Sequence, residues 1–290
     1  MSDPIKHTVQ PGETLFGIAK ENGVSKEAMK AANPQILDIN KILPGQIVFI
    51  PVEGTGTGGG ESPATQPATN PPVASNTVMR GLDASEPLTN AAKCLKNHGF
   101  GFAMRYYSLR KRAKNLTLSE AQALVAAGLQ LGVVFEETAK RSLDGRGAGI
   151  NDAKSAHETA ANVIGQPAGT PIYFAVDFDA KPAQLPSIKQ YFGGVRDGLA
   201  EANGGSPRYK VGAYASGLVC SELLKNGLIT FSWLTESTGF NGSKEFAKQK
   251  LFNLIQIFVP PDGQSVCGVV VDPNEMNPDP IKFPPGLFTI

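Results

Sequence analysis

The sequence predicts an α/β protein: a (β/α)8 TIM-like barrel over residues 78–290, preceded by a small βααβ module over residues 1–53. Three observations carry this. From Met79 onward, apolar β-rich runs alternate with runs of helical spacing, the pattern of parallel βα units. Residues 54–76 (GTGTGGGESPATQPATNPPVASN) are mostly Gly, Ser, Thr, Ala and Pro with almost no large apolar side chains, so they cannot build a core, and 54–77 reads as a linker. Ahead of it, two helix-start signals are framed by two strand-like runs.

In the module, residues 7–10 alternate polar and apolar side chains and end at the turn pair Pro11-Gly12. Thr14 then caps a helix whose Leu15, Ile18 and Ala19 recur at helical spacing, and Gly23 stops it. Ser25 starts a second helix that ends before Asn33-Pro34, since proline cannot continue it. A strand at 46–50 completes the unit, with Leu15, Ile18, Met29, Ile36, Leu43, Val48 and Ile50 as its core. So few apolar residues barely suffice for independent folding.

Composition excludes several classes. With 27 basic and 26 acidic residues, the net charge of +1 supplies no field to steer toward nucleic acid or an anionic membrane. Cys94, Cys220 and Cys267 are far apart and odd in number, which indicates neither a disulfide framework nor a zinc site, and they are expected to be structural thiols. The three histidines form no HExxH or other metal set, so no metal and no cofactor is expected. Gly54, Gly56 and Gly59 match GxGxxG spacing, but no helix follows, so the dinucleotide reading fails. GAYASG at 212–217 lacks the nucleophile-elbow pattern. No run approaches the ~18 apolar residues of a membrane span, and MSDPIKHT has no charged-then-apolar signal pattern. Export by a non-classical route, lysis or a secretion machine is expected, or a signal has already been removed.

The barrel strands are expected near 79–84, 100–107, 130–136, 171–178, 209–215, 231–236, 252–258 and 268–272. Helices are expected over 89–97, 119–127, 151–164 and 185–202, capped at Thr117 and Asn151 and stopped at Gly99, Gly128 and Gly165. Pro260-Pro261 implies a loop in the last gap. Eight strands with short helices over about 210 residues fit the small end of the ~200–400-residue range of such barrels, with an open doubly wound sheet as the alternative.

A barrel gathers its chemistry at the C-terminal ends of its strands. Those ends hold Asp83, Arg105 with Tyr107, Glu136 with Glu137, Asp177 with Asp179, Tyr214, Glu236, Gln256 and Asp272. Residues two apart on a strand face the same way, so Asp177 and Asp179 are expected to present carboxylates on one side at roughly 7 Å between Cα atoms. Neighbouring carboxylates raise each other's pKa, which lets one stay protonated as an acid while another remains an anion. Glycoside hydrolysis needs that division of labour. Glu136 or Asp179 is the candidate general acid, Asp177 its partner, and Asp83 a charge-supporting or water-positioning group. Arg105, Tyr107, Tyr214, Trp233, Glu236, Gln256 and Asp272 are candidate substrate-binding residues; of the strand aromatics Tyr106, Tyr107, Tyr173, Tyr214 and Trp233, some are expected to stack on pyranose rings, with Tyr214 and Trp233 the leading candidates. Any of these carboxylates can instead fix loops by accepting backbone N–H bonds, and any of the aromatics can be core.

Residues 7–52 as a whole, including the closing NKILPGQIVFIP, resemble a LysM module. Such modules usually bind N-acetylglucosamine polymers in a groove between the loop after the first strand and the loop after the second helix. The resemblance implies glycan contacts at 12–16 and 35–39, with Gly12, Thr14, Leu15, Ile36 and Ile39 as candidates, although the apolar members read equally well as core. The second unit resembles the glycoside hydrolase family 25-like barrels, in particular the relatives known as domain of unknown function 1906. This rests on GLDAS at 81–85, FAMRYY at 102–107, LSEAQALVAAGL at 118–129, PIYFAVDFD at 171–179, YKVGAYAS at 209–216 and VVVDPNEMN at 269–277. In family 25 lysozymes a first-strand Asp, matching Asp83, and a later DxE pair carry catalysis. Here Asp177 matches the Asp of that pair, but Asp179 stands where the Glu belongs, one methylene shorter.

The expected function is a cell-wall glycan hydrolase, a peptidoglycan muramidase tethered to its substrate by the small module, since tethering raises local substrate concentration. Chitin is the alternative polymer. A wall-binding protein with a degenerate barrel is the alternative class. If the chain is a delivered toxin, an immunity protein would be a further partner.

Overall fold

The computed structural model describes residues 5–9, 13–33, 36, 47–51, 78–259 and 263–290. Chain contacts divide the protein into two compact units, Met1–Ala74 and Ser75–Ile290. The expected linker 54–77, Pro11-Gly12, Leu43 and Pro260-Pro261 lie outside the described residues. Among the described residues no helix is long and apolar enough to cross a membrane.

The small unit pairs β1 (Ile5–Thr8) antiparallel with β2 (Ile47–Ile50), and α1 (Leu15–Glu21) and α2 (Lys26–Ala31) lie between them in sequence. β1 begins two residues before the expected strand. The Thr14 hydroxyl accepts from Gly17 N at 3.0 Å and the Ser25 hydroxyl from Ala28 N at 3.1 Å, so each satisfies an otherwise unpaired donor of a helix first turn. Gly23 adopts φ +68°, which lets the chain reverse after α1. Val9 and Ala19 join Leu15, Ile18, Met29, Ile36, Val48 and Ile50 in the core. Asn33 is buried beside it. Its amide donates to Met29 O (2.8 Å) and Phe49 O (2.7 Å), and its carbonyl accepts from Phe49 N (2.7 Å). One side chain thus ties the end of α2 to β2 where so small a core has little to spare.

The second unit alternates strand and helix as expected. In chain order come β3 (Arg80–Asp83), α3 (Ala92–Asn97), β4 (Phe102–Tyr107), α4 (Leu118–Ala126) and β5 (Gln130–Phe135). Then follow α5 (Gly145–Glu158), extended by a π-helical turn over Thr159–Ile164, β6 (Pro171–Ala175), α6 (Leu185–Ala202), β7 (Lys210–Ala215) and α7 (Gly217–Lys225). β8 (Phe231–Leu234), α8 (Ser243–Lys248), β9 (Leu254–Gln256), β10 (Gln264–Val266) and β11 (Val269–Met276) complete it. β3 through β9 pair in parallel and in order. β11 pairs with both β9 and β3 and closes the barrel, but it does so antiparallel to each. The expected eighth parallel strand is therefore reversed. Among the described residues between β9 and β11 there is no helix to return the chain; instead β10 forms a hairpin with β11, and a hairpin inverts strand direction.

Strand parity sorts the side chains into two layers. Phe102, Met104, Val134, Tyr173, Ala175, Phe231, Trp233 and Leu254 fill the barrel interior, whereas Ala103, Tyr107, Leu131, Val133 and Phe135 pack in the outer core beneath the helices. Glycines make room for the large interior residues. A Cβ on Gly81 would run into the Phe102 ring, one on Gly132 into the Met104 thioether, and one on Gly212 into the Tyr173 ring.

Close packing also explains one misplaced helix start. α5 begins at Gly145, so Asn151 lies inside it rather than at its cap. Gly145, Gly147 and Gly149 weaken the helical signal there. Gly149 is nevertheless required, because a Cβ on it would overlap Tyr191 O of α6, just as one on Gly194 would overlap Arg146 O and one on Gly198 would crowd Ile150 O.

The cysteine expectation is corrected. Cys94 on α3 and Cys267 in the β10–β11 turn form a disulfide across 173 residues of chain, and only Cys220 is a free, buried thiol, its pKa pushed up to about 12 by burial. No sequence spacing signals a bridge that spans most of the barrel. It ties the closing hairpin to α3.

Two outcomes follow for stability. Gly194→Ala forces α5 and α6 apart and is expected to destabilise the barrel by about 1–3 kcal/mol, read from denaturant midpoints. Replacing Cys94 and Cys267 together by Ala is expected to cost about 2–4 kcal/mol and to lower the thermal midpoint, because the long loop is no longer closed in the unfolded chain.

Candidate active site

A cleft of about 260 Å³ opens at the C-terminal ends of the parallel strands. It is lined by Asp83, Tyr106, Lys114, Glu136, Asp177, Tyr214, Trp233, Glu236, Gln256 and Asp272. Its centre is Asp83, at the end of β3 and 1% exposed. Tyr106 Oη donates to one carboxylate oxygen at 2.8 Å, while Gln256 Nε2 (2.9 Å) and Asn274 Nδ2 (2.7 Å) donate to the other. These donors come from β4, β9 and β11, so the reversed closing strand supplies part of the site.

The donors are themselves oriented. Trp233 Nε1, which can only donate, reaches Asn274 Oδ1 at 2.7 Å, and this turns the Asn274 amide nitrogen toward Asp83. Tyr214 Oη donates to Gln256 Oε1 at 2.6 Å with the same consequence. Three donors favour the carboxylate, but burial opposes it more strongly and neighbouring Asp272 adds repulsion, so the Asp83 pKa is pushed up to about 7. Near neutral pH this group is poised between acid and anion.

Opposite it, Glu136 ion-pairs with Lys114 at 2.7 Å, and the Lys114 ammonium also lies 4.3 Å from the centre of the Tyr106 ring. Asp177 stands at the open mouth. Partial desolvation and the Glu136 charge raise its pKa, and Lys114 partly offsets them. Its side chain remains open to solvent, and it is the carboxyl most accessible to an incoming ligand.

Several expected site residues lie elsewhere. Asp179 does not line the cleft: Asn241 N (2.8 Å) and Asn241 Nδ2 (2.7 Å) donate to one oxygen and Lys181 pairs with the other, holding its pKa below the usual carboxylate range. β6 stops at Ala175, so the period-two rule that was to align Asp177 with Asp179 no longer applies there. Arg105 and Tyr107 sit on the outward face of β4. Arg105 Nε pairs with buried Glu120 of α4 at 3.0 Å, and its guanidinium donates to Ala84 O and, at 3.0 Å, to Lys114 O. Tyr107 Oη donates to Gln166 Oε1 at 3.1 Å. Trp233, by contrast, does line the cleft, but from its floor: it is 1% exposed with its ring 4.5 Å from that of half-buried Tyr214, so it supports the site from below rather than offering a stacking face.

Lys114, which lines the cleft, and Asn274, which holds Asp83, were not among the expected site residues, and Tyr106, expected only as one of several aromatics that could stack on a sugar, instead donates to Asp83. Tyr106 shares strand parity with interior Phe102 and Met104, a signal present in FAMRYY. Lys114 lies in an irregular loop, where no periodicity identifies it. Asn274 needed the direction of β11 to be known.

In the small unit, Leu15 and Ile36 are buried core, and the Thr14 hydroxyl is committed to capping α1. Gly12 and Ile39 lie outside the described residues. A surface hollow of about 500 Å³ is lined by Phe16, Gly17, Ala19, Lys20, Val24 and Ser25, of which only Phe16 belongs to the expected glycan loops.

Comparison with known proteins places this architecture. Residues 93–262 match the Rv2525c-like, glycoside hydrolase-like domain, and residues 7–51 match the LysM domain. Two uncharacterized proteins of Bacillus subtilis are similar. YbfG is 30% identical over 163 residues, covering 52% of this chain and 22% of YbfG; FadG is 29% identical over 161 residues, covering 53% and 27%. The chain thus spans about a quarter of the length of these relatives. Among solved structures, the Tat-secreted protein Rv2525c of Mycobacterium tuberculosis, in complex with L-tartrate, superposes with a TM-score of 0.57 at 25% identity, covering 69% of this chain and 96% of that one. With more than half of its length matched, the chain belongs to the Rv2525c-like, glycoside hydrolase-like domain family, and it carries a LysM domain before the barrel in sequence.

Proposed function

We propose that this protein is a cell-wall glycan hydrolase of the muramidase type that its LysM domain holds on peptidoglycan. The observation that carries this reading is the carboxyl set of the cleft: a buried Asp83 with a pKa near 7 faces Glu136, paired with Lys114, and a raised, accessible Asp177. Hydrolysis of a glycosidic bond needs one carboxylic acid to protonate the leaving oxygen and a carboxylate to stabilise the positive charge that develops on the sugar. In this reading Asp177 takes the first role and Glu136 the second. Asp83, with both oxygens occupied by donors, acts on the cleft's field and on the position of Tyr106.

Peptidoglycan is favoured over chitin by charge. The cleft itself is acidic and its Lys114 is paired with Glu136, but Arg110 and Lys111 are exposed on the same loop after β4. Cations there suit a glycan that carries carboxylates, and chitin carries none. The LysM match and the secreted character of Rv2525c support action at the cell wall.

One observation favours a second reading, in which the barrel binds wall glycan without cutting it. Asp179, which stands where family 25 lysozymes carry a catalytic Glu, is tied down by Asn241 and Lys181 outside the cleft.

Release of reducing ends from purified peptidoglycan separates the two. Asp177→Asn and Glu136→Gln are each expected to lower the rate about 10²-fold or more, the usual contribution of a positioned acid or base, while leaving thermal midpoints unchanged. No release by the unmodified protein, with binding to the wall retained, selects the second reading.

Asp83 also links stability to pH. Its folded pKa lies above its unfolded value, so the fold holds this proton more tightly; its contribution is present below about pH 4 and is lost as pH rises toward about 7, on the order of 4 kcal/mol. Asp83→Asn keeps the site paired, because its carbonyl can face the two amide donors and its amide can face the Tyr106 hydroxyl. The variant is expected to flatten the fall of the thermal midpoint between pH 4 and 7, and an unchanged pH profile would show that Asp83 is not the source.

A further inference from the structure

We propose that Cys94, Cys267 and His98 form a redox-gated site for a thiophilic divalent cation, zinc in the first instance: a disulfide when oxidised and a Cys2His metal site when reduced. The three side chains form a compact cluster of metal-ligating groups. His98 Nδ1 lies 3.6 Å from Cys94 Sγ and 3.5 Å from Cys267 Sγ. With Zn–S of about 2.3 Å and Zn–N of about 2.0–2.1 Å, tetrahedral angles put sulfur and nitrogen roughly 3.5 Å apart, so two edges of the coordination polyhedron already exist. The third edge, between the sulfurs, needs roughly 3.8 Å on the same geometry, and Cα atoms 5.9 Å apart allow the two thiolates to turn to it without moving the backbone.

A second observation marks Cys267 itself. It adopts φ +57° and Gly268 φ +78° in the two-residue turn between β10 and β11. Turns with two positive φ values favour Asn, Asp or Gly at the first position, and cysteine gains nothing from that conformation. The backbone gives no reason for a cysteine here; its side-chain chemistry does. Cys94 and His98 are one helical turn apart, and Cys94 and Cys267 are half-buried while His98 is exposed, which leaves a fourth position open to water.

The chemistry balances. Two equivalents of a thiol reduce the disulfide and leave as their own disulfide, and each cysteine gains one proton. Cation binding then displaces both thiol protons. Nδ1 must be unprotonated to bind, so it gives up its 2.8 Å hydrogen bond to Cys94 O, and the exposed ring is free to turn from that carbonyl. In either redox state the closing hairpin, whose β11 carries Asp272 into the cleft and Asn274 to buried Asp83, stays fastened to α3. The anchor would therefore hold in a reducing compartment as well as an oxidising one.

The test uses the full chain, reduced with a phosphine and titrated with Co2+ as a spectroscopic stand-in for zinc. The reduced protein is expected to take up one ion, with thiolate-to-cobalt charge-transfer bands and the intense visible bands of tetrahedral cobalt, and Zn2+ is expected to displace it. The oxidised protein is expected to show none of these. His98→Ala is expected to weaken binding at least tenfold with the fold retained by circular dichroism, and Cys220→Ser to leave it unchanged. No tetrahedral thiolate spectrum on reduction, equal affinity in His98→Ala, or unfolding on reduction that the ion does not reverse would each overturn the proposal. None of these readouts depends on glycan hydrolysis.

Discussion

Asp83 receives hydrogen bonds from β4, β9 and β11 at once, and this contact binds barrel closure to the chemistry of the cleft. A buried carboxyl costs free energy unless its lone pairs are satisfied, and these three donors converge only when the last strand lies between the first and the seventh strand of the barrel. The β11 register pairs Asp272 with Asp83 and Asn274 with Gln256. A slip of one residue would turn Asn274 away from the interior and leave Asp83 short of a donor. The site therefore checks the fold, and the fold sets the site's pKa.

Around that centre the barrel is organised by size complementarity and by one buried ion pair. Gly81, Gly132 and Gly212 yield interior volume to Phe102, Met104 and Tyr173, while Gly149, Gly194 and Gly198 let α5 and α6 approach backbone to backbone. Arg105 and Glu120 sit in the outer layer, where unpaired charges would be costly. Their surplus hydrogen bonds hold Ala84, Leu88 and the Lys114 backbone. A residue outside the cleft thereby fixes the loop that delivers a cation into it.

The fold was largely legible because its signals are local. Thr14, Ser25 and Thr117 cap the helices where expected, Gly99, Gly128 and Gly165 turn the chain at φ +85°, +87° and +76°, and each of the eight expected barrel strands exists. The site was legible in part. Asp83, Glu136, Asp177, Tyr214, Glu236, Gln256 and Asp272 share the cleft because parallel strands end on one face. Arg105 and Tyr107 were misassigned by one position of strand parity, and Asp179 because its strand had already ended.

The sequence by itself determined the modular order, the alternation of strand and helix, and the ring of polar residues at strand ends, since each is written in periodicity, caps and composition over a few residues. Only the tertiary structure decided the direction of β11, the Cys94–Cys267 pairing, the burial that pushes Asp83 up to about 7, and the entry of Tyr106, Lys114 and Asn274 into the site. These depend on contacts between residues as far apart as 173 and 191 positions, and no local pattern encodes which distant strand a segment will lie beside or which way it will run.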